Sequence, residues 1–122
     1  MVLNSGSLNR RIQVMRYNET GRDGFGGSIG DWEKLGVVLF ARRRDVTDAE
    51  ELSGGAVGNN LVVRFIVRST VFTRDIKRHD MIAHEGAPFD IKGIKEVTWQ
   101  CGFLEITAVT SERAARQPLF EV

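Results

Sequence analysis

Leu61-Val62-Val63-Arg64-Phe65-Ile66-Val67-Arg68 decides the fold. Four of the eight residues are β-branched, no Gly or Pro interrupts them, and Gly58-Asn59-Asn60 precedes them as a turn cluster. Leu61, Val63, Phe65 and Val67 share one face at the period-2 spacing of a strand. Val62, Arg64, Ile66 and Arg68 share the other, where two guanidiniums must reach water, a carboxylate or a partner. A helix would scatter those arginines among the apolar residues, so the stretch reads as a strand. One apolar face and one half-wet face suit an antiparallel sheet or small barrel better than a doubly buried parallel one.

Outward from that strand, the chain repeats the pattern. Arg11 to Tyr17 alternates, with Ile12 and Val14 on one face, and Asp31 to Ala41 reads as a second strand. Between them Asn18 to Gly30 holds Gly24-Phe25-Gly26-Gly27. A phosphate-binding glycine loop needs a helix after it; a strand follows here, so the segment is read as a hairpin loop. Met81 to His84, Pro88 to Ile94 and Phe103 to Val109 supply further short strands, with Glu85-Gly86 and Trp99 to Gly102 as connections. Thr73-Arg74-Asp75 has the chemistry to cap a single helical turn. About six short strands with Gly-rich connections argue for an all-β fold, a small antiparallel barrel forming one domain over residues 1–122.

Three segments stand apart. Residues 1–7 read as a flexible N-terminal arm. Residues 42–60 read as a projecting loop carrying a short helix, because Thr47-Asp48-Ala49-Glu50 matches a capping box and Gly54-Gly55 would stop the helix after two turns. Such a helix is marginal alone, so the segment reads either as a projection that orders against something else or as a solvated lid over one barrel end. Residues 111–122 form a polar tail with an apolar ending, Leu119-Phe120-Glu121-Val122.

Bulk composition narrows the function. Net charge is +1, from 17 basic and 16 acidic residues, which gives no global electrostatic case for nucleic-acid binding. The single cysteine, Cys101, excludes an internal disulfide framework and fits a reducing compartment. No apolar run approaches a membrane span, and the N-terminus lacks the pattern of a secretory signal. These features lead to the expectation of a soluble cytoplasmic protein, with no membrane partner.

Candidate chemistry is sparse. His79 and His84 fall on opposite faces of a strand, and no second cluster completes a metal site. Cys101 reads as a small buried hydrophobe rather than a nucleophile served by His84. The expectation is no enzyme, no cofactor and no metal. Arg42, Arg43 and Arg44, with Arg64 and Arg68, could touch a phosphate backbone without reading sequence. The other reading is that Asp45, Asp48, Glu50 and Glu51 neutralise them.

A wider pattern runs from Gly6 to Thr107. It comprises Gly6-x-Leu8-x-x-Arg11-Ile12, Gly24-Phe25-Gly26-Gly27, Trp32, Phe40-Ala41-x-Arg43 and a glutamate at Glu50 or Glu51. Arg64-Phe65-x-x-Arg68, Phe89-Asp90-Ile91 before Gly93-Ile94, and Leu104-Glu105-Ile106 complete it. In order and spacing it resembles the head–tail joining (head-closure, or stopper) family of tailed bacteriophages, the siphophage-type connector component. Lys77-Arg78-His79-Asp80-Met81-Ile82 departs from the Arg-Ile pair usual before that family's fourth strand.

The resemblance implies a virion protein at the head–tail interface, present in the host cytoplasm before assembly. It would assemble as a ring of six or twelve copies beneath the portal and its adaptor. The ring would close the channel after packaging and dock the tail through the tail-terminator protein. Arg42, Arg43, Arg44, Asp45, Asp48, Glu50 and Glu51 would then face the channel or adaptor, open to non-specific contact with packaged DNA. Leu119, Phe120 and Val122 would pair with a neighbour's sheet edge at the tail interface. Two alternatives compete: a tail-terminator or other connector barrel, and an OB-like module for single-stranded nucleic acid.

Overall fold

The computed structural model describes residues 3–46 and 62–111. After a 3-10 turn at Ser5–Ser7 come β1 (Arg10–Arg22), β2 (Ser28–Asp45), β3 (Val62–Arg68), α1 (Val71–Arg74), β4 (Met81–His84), β5 (Ala87–Glu96) and β6 (Phe103–Thr110). The strands close into a barrel in the order β1-β2-β3-β6-β5-β4, antiparallel at every pairing. This is the expected small antiparallel barrel. It is a closed ring of six strands, whereas an OB barrel has five and is partly open.

β3 behaves as its alternation demands. Val63, Phe65 and Val67 are buried in the barrel interior with Ile12, Val14, Ile82, Phe89, Ile91 and Ile106. Phe65 lies at the centre, edge-on to Phe89 at 5.8 Å between ring centroids and to His84 at 5.2 Å. The opposite face is drier than expected. Ile66 packs outside the barrel with Leu3, Leu8, Val97 and Phe103. That second cluster corrects the reading of residues 1–7 as a flexible arm, at least from Leu3 onward. Leu3 is buried, its N–H donates to Gln100 Oε1 at 2.7 Å, and Gln100 Nε2 donates back to the Leu3 carbonyl at 2.8 Å.

The barrel closes over a short seam: Gln13, Val14 and Met15 of β1 pair with Ala83, Ile82 and Met81 of β4. β1 and β2 are much longer than that seam. They continue together to Arg22 and Ser28, so the expected loop from Asn18 to Gly30 is mostly paired strand with its turn at residues 23–27. Beyond Met15, β1 has no strand partner but β2 among the described residues; short of Arg42, β2 has none but β1. Residues 17–33 are thus a two-stranded arm standing off the barrel. Tyr17 and Trp32 meet edge-on within it at 5.5 Å, and Asn18 Nδ2 donates to Glu33 Oε1. Gly30 fits where the register shifts, since a Cβ there would collide with the Asn18 carbonyl oxygen.

Two devices hold the arm's root. Opposite Ile12 to Val14, β2 bulges by two residues between Leu35 and Leu39. The buried amide of Gln13 fills the gap by donating to the Leu35, Gly36 and Val14 carbonyls at 3.0–3.2 Å. Gly36 takes φ +69°, and a Cβ there would lie 2.6 Å from the Phe72 ring of α1. α1 itself is capped by Thr70, with Thr73 completing a reciprocal box, so the cap lies three residues before the expected Thr73. The second device is the pair Arg16–Asp80. Arg16 Nε and Nη2 each lie 2.8 Å from one oxygen of the fully buried Asp80 carboxylate, which also accepts the Lys77 N–H at 2.8 Å.

Burial pushes the Asp80 carboxyl up, but the Arg16 and Lys77 hydrogen bonds together outweigh it and hold the group below the usual carboxylate range. A carboxyl depressed in the folded state stabilises the fold above its unfolded value, about 4. That contribution disappears as pH falls through the lower folded value. Arg16→Ala leaves a buried carboxylate unpaired and is expected to cost about 3 kcal/mol at pH 7. Urea denaturation across a pH series should show the gap from the unaltered chain narrowing below about pH 4. A pH-independent gap would contradict this account of the pair.

Candidate functional site

β2 runs to Asp45, pairing Arg42, Arg43, Arg44 and Asp45 with Ile66, Phe65, Arg64 and Val63 of β3. This corrects the boundary of the expected loop: the three arginines lie on a barrel strand and are held by its ladder. Alternation explains where they go. Ala41 is fully buried, so Arg43, two residues on and opposite Phe65, stands in the same inward row at the barrel's end. The row ends near solvent, and a long side chain can cover the core there while its charged head stays wet.

Glu85 meets Arg43 at that end. It occupies the two-residue turn between β4 and β5 with φ +51°, followed by Gly86 at +78°, the backbone a type I′ hairpin requires. A glutamate pays for that conformation, where Asn or Gly would be at ease. In return its carboxylate bridges Arg10 Nη1 at 3.1 Å and Arg43 Nη1 at 3.4 Å. Arg43 Nε also reaches Asp45 Oδ1 at 2.9 Å. Beneath the turn, the buried His84 ring lies within 2.9 Å of the Arg11 carbonyl through Nδ1, which must therefore carry the proton of that bond.

Arg10, Arg42 and Arg43, with Ser7 and Asn9, line an open polar cleft of about 380 Å³. Arg42 is half-buried and meets no carboxylate among the described residues. Three guanidiniums therefore face two carboxylates, leaving a net cationic rim suited to bidentate contact with phosphate or carboxylate oxygens.

The structure separates the other sequence-nominated residues. Arg64 lies 3.8 Å from Glu105, which Lys95 also approaches at 3.4 Å, and Arg68 is placed over the Phe103 ring. Neither lines the arginine cleft. His79 is exposed while His84 is buried, and no group of three or more His, Cys, Asp or Glu among the described residues could hold a metal. Cys101 is exposed in the turn before β6, against the expectation of a buried hydrophobe. Asp48, Glu50 and Glu51, the helix proposed from the Thr47–Glu50 box, and Leu119, Phe120 and Val122 lie outside the described residues.

Arg10 and Glu85 were missing from the sequence reading as members of this end. The signal for Glu85 was present, since Glu-Gly between two short strands asks for φ > 0 at a residue that resists it.

A family model described as phage head completion protein matches residues 3–112. The solution structure of a Shigella flexneri 2a protein superposes with a TM-score of 0.67 at 26% identity, covering 92% of this chain and 100% of that one. A chain from the virion of a native gene transfer agent particle superposes with a TM-score of 0.61 at 21% identity, covering 84% of this chain and 93% of that one. A search of curated proteins found no match.

Removing charge at the cleft should act in opposite directions. Glu85→Asn relieves the turn, frees Arg10 and leaves Arg43 with Asp45 alone, so it is expected to fold at least as stably and to bind a short DNA duplex more tightly. Arg42→Ala is expected to weaken that binding and lower its salt slope by roughly one. Fluorescence anisotropy over a salt series reads both, and equal affinities for all three chains would show that the cleft takes no phosphate.

Proposed function

The chain belongs to the phage head completion protein family, and on that premise we propose that it is a structural part of the head–tail connector. In this reading the barrel assembles as a ring beneath the portal and its adaptor. It closes the channel after DNA packaging and offers the tail a docking face. The observation that carries the proposal is the family match over nearly the whole barrel, residues 3–112.

The geometry supplies a physical basis for each part. A closed barrel with interlocked core clusters is a stiff unit, which a pressurised channel needs. The cleft of Arg10, Arg42 and Arg43 lies beside the end of β2 at Asp45. The loop expected over the following residues would extend from that cationic end toward the bore or adaptor. Contacts there would be to the phosphate backbone and blind to sequence, because guanidiniums on a barrel rim reach phosphates without entering a groove. At the tail side, Leu119, Phe120 and Val122 would add a strand to a neighbour. Among the described residues, the two strands of the arm each leave an outer edge open to accept it.

Deleting the gene from its phage or prophage and measuring head DNA content beside electron micrographs tests the proposal. Empty or leaking heads beside normal, unattached tails are expected. DNA-filled heads with tails of abnormal length would assign the chain to the tail end instead. Normal infectious particles would overturn the connector reading.

A further inference from the structure

The arm ends in an unusual presentation. Asp23 Oδ1 accepts the N–H groups of Phe25 and Gly27, both at 2.8 Å, and Asp23 N–H donates to the Gly27 carbonyl at 2.8 Å. This built turn holds Phe25 at the outermost point with 99% of its surface exposed. Nothing among the described residues covers the ring. An exposed phenyl group costs free energy in water that burial in a partner would recover. A two-stranded ribbon is also marginal until something packs against it.

A fitting cavity lies on the barrel. Leu8, Val38, Phe40, Val67 and Thr73 line a mainly apolar groove of about 240 Å³, with Arg68 at its border. Val67 and Thr73 are buried and form its floor, while Val38 and Phe40 remain exposed at its lip. Val37 and Val71 are also exposed, so the protein shows a run of apolar side chains where water is the default neighbour. An apolar cavity of about 150 Å³ accepts benzene, so this one has room for a phenyl ring.

The knob cannot reach its own socket. Val38 and Phe40 stand on the same continuous strand that leads to the tip, β2, whose first residue is Ser28. At about 3.3 Å per residue, ten residues of strand separate Ser28 from Val38 by roughly 30 Å. The geometry points to an intermolecular contact: Phe25 at the arm tip of one copy seats in the Val38–Phe40 groove of the next copy. Knob and socket are different surfaces of one chain, so the contact is head-to-tail. Such a contact propagates around a ring or along a filament and does not stop at a dimer. The inference deepens the proposed ring by naming what joins neighbours, yet it makes no use of the channel-closing role.

Cross-linking tests it in a Cys101→Ser background, which removes the exposed native thiol. Gly24→Cys chains, which keep Phe25 and carry the thiol where a Cβ meets nothing, and Val38→Cys chains are prepared separately, mixed across micromolar to millimolar concentration, and mildly oxidised. The mixed disulfide is expected to exceed either self-linked product roughly tenfold, because docking raises the local concentration of the two thiols. Sedimentation of otherwise unaltered chains should show Phe25→Ala associating less and Phe25→Leu retaining most association. Even distribution of links, or no association up to millimolar concentration, would overturn the inference. So would a mixed link that forms only after residues 112–122 are removed, which would assign the groove to the chain's own tail. A strong mixed link together with normal particles after gene deletion would leave the contact standing and remove only the connector role.

Discussion

The barrel depends on a seam of three residue pairs, Gln13 with Ala83, Val14 with Ile82 and Met15 with Met81. β4 has only four residues, so it sets the length over which β1 can be covered on its second side. β1 has thirteen and β2 eighteen. What cannot be accommodated in the ring must leave it as a ribbon. The departure is engineered in chemistry: Met15 and Met81 pack under Trp32 at the seam's end, and Arg16 locks onto buried Asp80 immediately beyond. A bidentate charged pair with its remaining lone pairs satisfied can repay its own desolvation. On the other strand the two-residue bulge releases carbonyls that would be orphaned in the barrel wall, and the buried Gln13 amide satisfies them. Gly36 makes the bulge possible with its positive φ, and Phe72 presses against it so closely that any side chain there would force the Phe72 ring to move.

β2 then links the protein's distinct surfaces. Its beginning supports the tip that displays Phe25, its middle forms the lip of the apolar groove at Val38 and Phe40, and its end carries Arg42 and Arg43 to the cationic cleft. One continuous strand fixes the spacing between a knob, a socket and a charged rim. In the proposed ring, that spacing would set how far apart neighbours sit and which end meets a polyanion. Forces applied at the rim would pass along a hydrogen-bonded ladder into the proposed contact between copies.

Much of the barrel was legible because its core strands obey period 2. Val63, Phe65 and Val67 announce the interior, and Phe89 with Ile91 and Leu104 with Ile106 repeat the message. The misreadings share one cause: polar or glycine-rich strand segments lack that contrast. Arg42-Arg43-Arg44 looks like a loop in sequence, yet the ladder to β3 continues through it, and the arginines tolerate the barrel's end because their heads reach solvent. The arm looks like a loop in sequence for the same reason, since a ribbon wet on both faces has no apolar face to reveal its pairing. Gly36 within an apolar run was a bulge signal that went unread. The anchoring of Leu3 by Gln100, 97 residues away, and the meeting of Arg16 with Asp80 depend on closure itself. The cationic site was half visible: its β2 arginines were nominated, while Arg10 and Glu85 come to it only through the folded ring.

Electron cryomicroscopy of intact particles carrying this chain tests the account most directly, by locating the barrel and its orientation. The account predicts a ring of barrels between portal and tail, with Arg10, Arg42 and Arg43 turned toward the bore and each arm laid across the adjacent barrel. A barrel found at the far end of the tail, or a ring whose arginine ends face outward with the arms free in solvent, would contradict it.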